Sequence, residues 1–333
     1  MTAGAAWRDG ARRVNSAPMV LLGMFMLTLF VALPLSLALR GLIANHLGDS
    51  LFADAAASGT SYDWWQEFSA QASGLATTFV PSIIGFGAVL DNLQGILDNV
   101  PMAMTIAGAT AAWMVLWSFL SGGVLDRYAR MRPTRTTGFF AACGTHFWRF
   151  LRIGLLAWLV YWALFQLVHP LLFDDLYPWL TRDMTAERSA FAVRAAFYLI
   201  FGVLLLLCNL VFDYARIRTV VEDRRSAIGS LVAGARFVRR HPATLKLYLL
   251  NATTFILLAL FYALVSPGAP SGLAIWIALA IGQFYILLRH YVKLLFYASQ
   301  TAYFQGELAH AAYTAAPPVV WPESPAAESI GNA

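Results

Sequence analysis

Six long apolar runs punctuate the chain: Pro18–Leu42, Met102–Leu125, Ile153–Phe173, Ala195–Phe212, Leu247–Val265 and Gly272–Leu288. Each comes near or exceeds the roughly 20 residues a helix needs to cross a hydrocarbon core. The fourth is short and extends to full length if it starts near Phe191. Lipid offers the backbone no hydrogen-bond partners, so a segment of this kind bonds internally, as a helix. The pattern therefore predicts an all-α, polytopic transmembrane helical bundle of about six spans. Between the spans the period changes. Over Ser82–Asp98, Phe86, Val89, Leu90, Leu93, Ile96 and Leu97 share one helical face, with Asp91, Gln94 and Asp98 opposite. That is the signature of a helix lying on a membrane surface. Tyr62, Trp64, Trp65 and Phe68 precede it, as interfacial aromatics do. Trp64, Trp65, Phe68 and Phe86 form a candidate outer contact surface.

Charge sets the orientation. Of the 23 cations, all but Arg40, Arg182, Arg188 and Arg194 fall on one side of the spans, Arg289 and Lys293 being counted with the C-terminal segment. Positive charge stays inside, so both ends and both basic loops are expected in the cytoplasm of a bacterial inner membrane. The cation-free loop Ile43–Val100, which holds six acidic residues of that face such as Asp49 and Asp98, is expected outside. The first run is longer than the roughly 7–15 residues of a signal-peptide core, so it reads as an uncleaved span that also targets the chain. Composition agrees: 59% of residues are hydrophobic and 12% charged, too little polar surface for a soluble globule. The net charge of +5 sits between apolar spans, which is membrane topology and not a nucleic-acid surface. Cys143 and Cys208 lack the spacing of a zinc site and are expected to be free packing residues.

Short matches recur. Tyr128-Ala129-Arg130-Met131-Arg132 parallels Tyr214-Ala215-Arg216-Ile217-Arg218, and Tyr297-Ala298 stands at a similar place after the sixth span. Gly234-Ala235-Arg236 with Pro242 parallels Gly10-Ala11-Arg12 with Pro18, and Gly144, Phe147 and Arg149 parallel Gly234, Phe237 and Arg239. These predict a membrane domain over 1–313 made of three tandem units, about 1–135, 136–225 and 226–313, with an extracytoplasmic insertion at 43–100. Each unit would be a basic elbow helix followed by a helical hairpin. Elbow arginines at a membrane surface attract anionic headgroups, each worth about 1 kcal/mol; Arg149, Arg236, Arg239 and Arg240 are the candidate lipid contacts. Residues 314–333 carry four prolines among small polar residues and are expected to be a disordered cytoplasmic tail.

The Tyr-Ala-Arg-x-Arg ends and Gly-x-x-Phe-x-Arg elbows resemble uncharacterised families of multi-pass bacterial membrane proteins. They also look like the membrane domain attached to some bacterial glycerophosphodiester phosphodiesterases. That resemblance implies a lipid-facing or accessory role. The phosphodiesterase catalytic domain has no counterpart in this sequence, so no catalytic residue carries over.

No nucleophile elbow, P-loop, His-Glu-x-x-His or cysteine-pair motif is present, and the six histidines have no partner at ligand spacing. Neither a cofactor nor a metal site is implied. Polar groups inside spans are costly and mark sites to inspect. Asn209 and Asp213, one turn apart on the fourth span, together with Asn251 on the fifth and Gln283 on the sixth, form a candidate intramembrane cluster. They read either as interhelical bonds, with Asp213 paired to Arg216, or as a polar path. Two functions follow from these readings. The first is a non-enzymatic scaffold or accessory subunit contacting lipids and a protein partner or a second copy. The alternative is a transporter or permease for a small or lipid-like solute.

Overall fold

A computed structural model describes residues 1–48, 53–57, 62–79, 93–100, 104–266 and 274–315. The fold is all-α. Helices α1 (Ala3–Asn15), α2 (Pro18–Leu47), α3 (Tyr62–Gln71), α4 (Met104–Arg130), α5 (Thr136–Ala163), α6 (Glu187–Val221), α7 (Ala227–Arg240), α8 (Ala243–Val265) and α9 (Ala274–Ala315) make up most of the described chain. Six of them are long and apolar enough to span a membrane, so this is an integral, multi-pass membrane protein. The amphipathic segment foreseen over Ser82–Asp98 lies mostly outside the described residues, as do Phe86 and residues 316–333; residues 93–97 are helical.

Local chemistry sets the breaks. Thr2 and Ser226 open α1 and α7 by accepting the backbone N–H of Ala5 and Gly229 at 3.2 and 3.1 Å. Pro18 and Pro242 end those helices. The residue before a proline is pushed out of the helical region, and Ala17 and His241 accordingly lie at φ −133° and −123°. The Gly144–Arg149 segment has no such proline, and here the structure departs from the expected pattern. The second unit's elbow is not a separate helix but the first half of α5, which runs unbroken from Thr136. Further on, Pro170 removes an N–H from the ladder, and π-helical turns form on both sides, at Leu164–Val168 and Leu171–Leu176. The carbonyl of Phe165 next to this defect accepts from Asn99 Nδ2 at 3.2 Å.

Packing is concentrated at one end of the bundle, where α1, α7, the α4–α5 turn and the distal half of α9 converge. This is the arginine-rich end. Its core buries Tyr128, Phe150, Ile153, Leu210, Tyr214, Leu247, Leu295 and Phe304. The three most extensive helix contacts are α4 with α5, α1 with α9, and α6 with α7. Glycine allows each close approach. A Cβ on Gly10 would stand 2.6 Å from Ser299 Cα. On Gly234 it would stand 3.0 Å from Val211 O, and on Gly123 2.5 Å from Cys143 Sγ. Thus α5 and α7 each lean on the helix that ends the preceding hairpin. Helix α1 leans on α9 and closes the ring. Away from this end the spans present apolar faces outward, such as Phe30 and Leu264, as lipid-facing helices do.

Polar bonds stitch the ring. The last carbonyls of α4 have no partner within their own helix. Arg13 Nη1 donates to Tyr128 O at 2.8 Å and Gln305 Nε2 to Ala129 O at 2.9 Å. Arg13 also meets Gln305 Oε1 and, on its own helix, Asp9. On α6, Arg218 reaches Ala233 O at 2.8 Å while pairing with Glu222.

Candidate functional site

Five of the six spanning helices border one cavity of about 670 Å³. Helix α2 contributes Thr28, α4 Trp113 and Trp117, α6 Asn209, Asp213 and Arg216, α8 Tyr248 and Phe255, and α9 Arg289, His290, Lys293 and Tyr297. Helix α5 contributes nothing. Along each helix these positions run from mid-span toward the arginine-rich end. The cavity lies directly beside the packed core, where the helices begin to separate.

The walls are held by side-chain bonds. Asn209 Nδ2 donates to Tyr248 Oη at 2.6 Å, and Trp117 Nε1 to Tyr297 Oη at 3.2 Å. Thr28 donates its one hydroxyl proton to Met24 O at 3.0 Å. The 3.0 Å contact between Thr28 Oγ1 and His290 Nε2 is then an imidazole N–H donating. Asp213 accepts from Gln300 Nε2 at 3.3 Å, and its other oxygen lies 3.7 Å from Arg216 Nη1. The latter is an ion pair too long to be a hydrogen bond.

The charge is lopsided. Arg216, Arg289 and Lys293 face a cavity whose one carboxylate among the described residues is Asp213, already engaged by Arg216. Arg289 and Lys293 are four apart on one helix, where like charges repel by a few tenths of a kcal/mol even at an exposed surface. Lys293 finds electron-rich rings instead of a carboxylate. Its Nζ stands 3.7 Å from the Trp117 centroid and 5.6 Å from that of Trp113, in range for cation–π attraction. Arg289 lies 5.9 Å from the Tyr285 ring. The cavity therefore combines cationic heads, indole and phenol donors, and an apolar floor at Phe255 and Ile286.

The polar residues singled out from the sequence separate into three places. Asn209 and Asp213 line the cavity together, and Asp213 has the expected Arg216 partner. Asn251 is buried outside it, donating to Ser299 Oγ at 2.9 Å. Gln283 does not meet Asn251. It stands about 24 Å of helix, at ~1.5 Å per residue, up α9 from Ser299. The error was one of length. The sixth apolar run ends at Leu288, yet its helix continues to Ala315, so Gln283 sits in the half away from the arginine-rich end. The same continuation hid the cavity face of this helix: Arg289 and Lys293 read as charges of the C-terminal segment, yet with His290 they line the cavity. The visible signal was the run's shortness: a span from Gly272 must extend past Arg289 to cross.

The other foreseen contact groups are also redistributed. Arg149 is tied to Asp223, an ion pair across the end of α6 that holds the Asp223 carboxyl below its usual range. Arg236, Arg239 and Arg240 are exposed on α7. Trp64 and Phe68 turn inward, their rings stacking with centroids 5.3 Å apart beside His46 and Phe79, and Trp65 packs on Tyr62. Cys143 and Cys208 are free thiols. Among the described residues no cluster of three metal-ligating side chains occurs. The chain matches no family model, and no curated protein or solved structure matches it either.

Proposed function

We propose that this membrane protein is a transporter or permease whose central cavity receives a small anionic solute or the anionic end of an amphiphile. The observation that carries the reading is the cavity's charge: among the described residues, three cations against one engaged carboxylate, at the level of the spanning helices. A cation placed in a span costs about 2.5–3.5 kcal/mol on insertion scales, so two on one helix face call for a counter-charge. The volume suits a small organic ligand, whose pockets run to roughly 300–1,000 Å³. Asp213 then serves as the internal counter-ion that the solute displaces from Arg216. The excess of arginine at the packed end supports a cytoplasmic position for that end in a bacterial inner membrane. The exposed Arg236, Arg239 and Arg240 would meet anionic headgroups there.

The test starts with the purified chain in mild detergent, titrated with inorganic phosphate, sulfate, simple carboxylates and phosphomonoesters while thermal stability is followed. A stabilising anion is then taken into proteoliposomes for flux. Lys293→Gln and Arg289→Gln should each weaken binding at least tenfold. Asp213→Asn should yield a folded protein with altered flux. Binding unchanged in both cation variants overturns the reading.

A scaffold or accessory-subunit role is favoured by a different observation. Helix α5 lines none of the central cavity and turns Trp148, Leu155, Trp158 and Trp162 outward along one face. A stoichiometric partner or second copy seated on that face should copurify and be lost on replacing Trp158 and Trp162 with alanine.

The ring of helix contacts supports three tandem units. Each elbow rests on a neighbouring exit helix, and the matched tyrosines Tyr128, Tyr214 and Tyr297 are all buried.

A further inference from the structure

A second cavity, of about 630 Å³, lies between α2, α4 and the start of α5. Its chemistry differs from that of the central one. The long walls are apolar, with Met24 and Leu27 on α2 facing Leu116 and Leu120 on α4. At one end stands Arg127, only 8% exposed. Its Nη2 donates to the carbonyl of Ser16 at 3.0 Å, a neutral acceptor, while its Nη1 has no hydrogen-bond partner. Among the described residues no carboxylate lies within ion-pair distance of this guanidinium; neighbouring Asp126 is committed to Arg130 at 2.7 Å. A buried guanidinium with a vacant N–H loses its hydration without replacement. Arg135 joins the rim from the α4–α5 turn.

The dimensions fix the occupant. The groove is lined from Ser16, at the end of α1, along α2 from Pro18 to Leu27, and along α4 from Arg127 back to Leu116. At ~1.5 Å per residue the two helical walls are about 14 and 16 Å long, close to half of a hydrocarbon core of about 30 Å. One leaflet's depth of apolar groove, with a buried unpaired cation at its head, matches a single lipid: an acyl chain along the walls and a phosphate at the mouth. We infer that this groove binds one anionic glycerophospholipid, its phosphate oxygens accepting from Arg127 Nη1 with Arg135 drawing the headgroup's net charge, and one acyl chain lying against α2 and α4. The inference is independent of the central cavity, with which the groove shares no lining residue.

The experiment is native mass spectrometry of the full chain, delipidated in mild detergent and titrated with phosphatidylglycerol, phosphatidylcholine or inorganic phosphate. Two variants accompany it. Arg127→Gln removes the cation. Gly23→Phe obstructs the acyl groove from α2, where an added Cβ meets nothing within 4 Å, and leaves Arg127 in place; its melting temperature is measured beside the wild type's. The expected result is one phosphatidylglycerol retained per chain, at least tenfold more tightly than phosphatidylcholine. Both variants should lower that retention at least tenfold, and phosphate should not compete. Equal retention of the two lipids, competition by phosphate, or wild-type retention in Gly23→Phe would each overturn the inference. Should Arg127→Gln fail to fold, Arg135→Gln takes its place, with a smaller loss confined to the anionic lipid.

Discussion

Replacing Gly10 with alanine tests the contact that closes the helix ring. The added Cβ would stand 2.6 Å from both Cα and Cβ of Ser299, whereas carbon atoms rest at about 3.5–4.0 Å. Helix α1 must then move about 1 Å away from α9, and backbone is what it meets, so no side-chain rotation relieves the clash. Overpacking of this kind costs about 1–3 kcal/mol. Alanine's better helix propensity returns only about 0.5–1 kcal/mol. The expected net is a destabilisation of about 1–2 kcal/mol, which lowers the melting temperature by several degrees on the scale of ~2–4 °C per kcal/mol for chains of 150–250 residues. The assay is thermal unfolding of the detergent-solubilised protein, with hydrogen exchange resolved over residues 3–15. Gly4→Ala and Gly202→Ala are the controls, since an added Cβ there meets nothing within 4 Å; both should be neutral or slightly stabilising. A Gly10→Ala protein with unchanged melting and an equally protected α1 would refute the close crossing, and with it the ring.

Asn99→Leu removes the donor that satisfies Phe165 O beside the Pro170 defect. A loss of about 1–3 kcal/mol is expected from an unsatisfied carbonyl, seen as faster exchange over residues 160–176, while exchange in α7 stays as it was. Gln305→Ala frees Ala129 O and leaves Arg13 with fewer partners. Fraying of the last turn of α4, read by exchange at residues 126–131, is the expected outcome. Glu222 gives a pH dependence. Burial raises its carboxyl, but bonds from Arg218 and Arg224 outweigh this and hold it below its ordinary 4.5. A depressed native value means stability present above the unfolded pKa and lost as pH falls through the native one. Acidification below about pH 4.5 should therefore loosen the α6–α7 turn in the wild type and less so in Glu222→Gln; equal loosening in both would assign the effect to other carboxylates.

What was legible in the sequence was what one-dimensional periodicity encodes. Spans appear as uninterrupted apolar runs, and Pro18 and Pro242 mark the ends of α1 and α7 because proline acts on its immediate neighbours. The Asp213–Arg216 pair was readable because residues three apart on a helix are always close. The cavity was not. Two of its three cations lie on α9 and its tryptophans on α4, far apart in sequence, and their meeting depends on how the helices cross at the arginine-rich end. Hydropathy also does not show where a helix ends once charges enter it: α9 runs on to Ala315, so Lys293 looked like a topology marker and not a cavity residue. The inward turn of Trp64 and Phe68 onto His46 is another long-range event without a local signal.

The contact of α1 with the distal half of α9 also bears on how the chain is made. A polypeptide emerges from the ribosome from its first residue onward, and α1 is complete long before Ser299 exists. At ~5–20 residues per second, roughly 15–60 s of synthesis separate the two. During that interval α1 lacks its most extensive partner, and the face that will meet α9 must be sheltered by the bilayer or a chaperone. A chain that stalls before α9 is finished therefore displays an uncovered face of α1, a ready mark by which proteolysis can tell incomplete copies from finished ones.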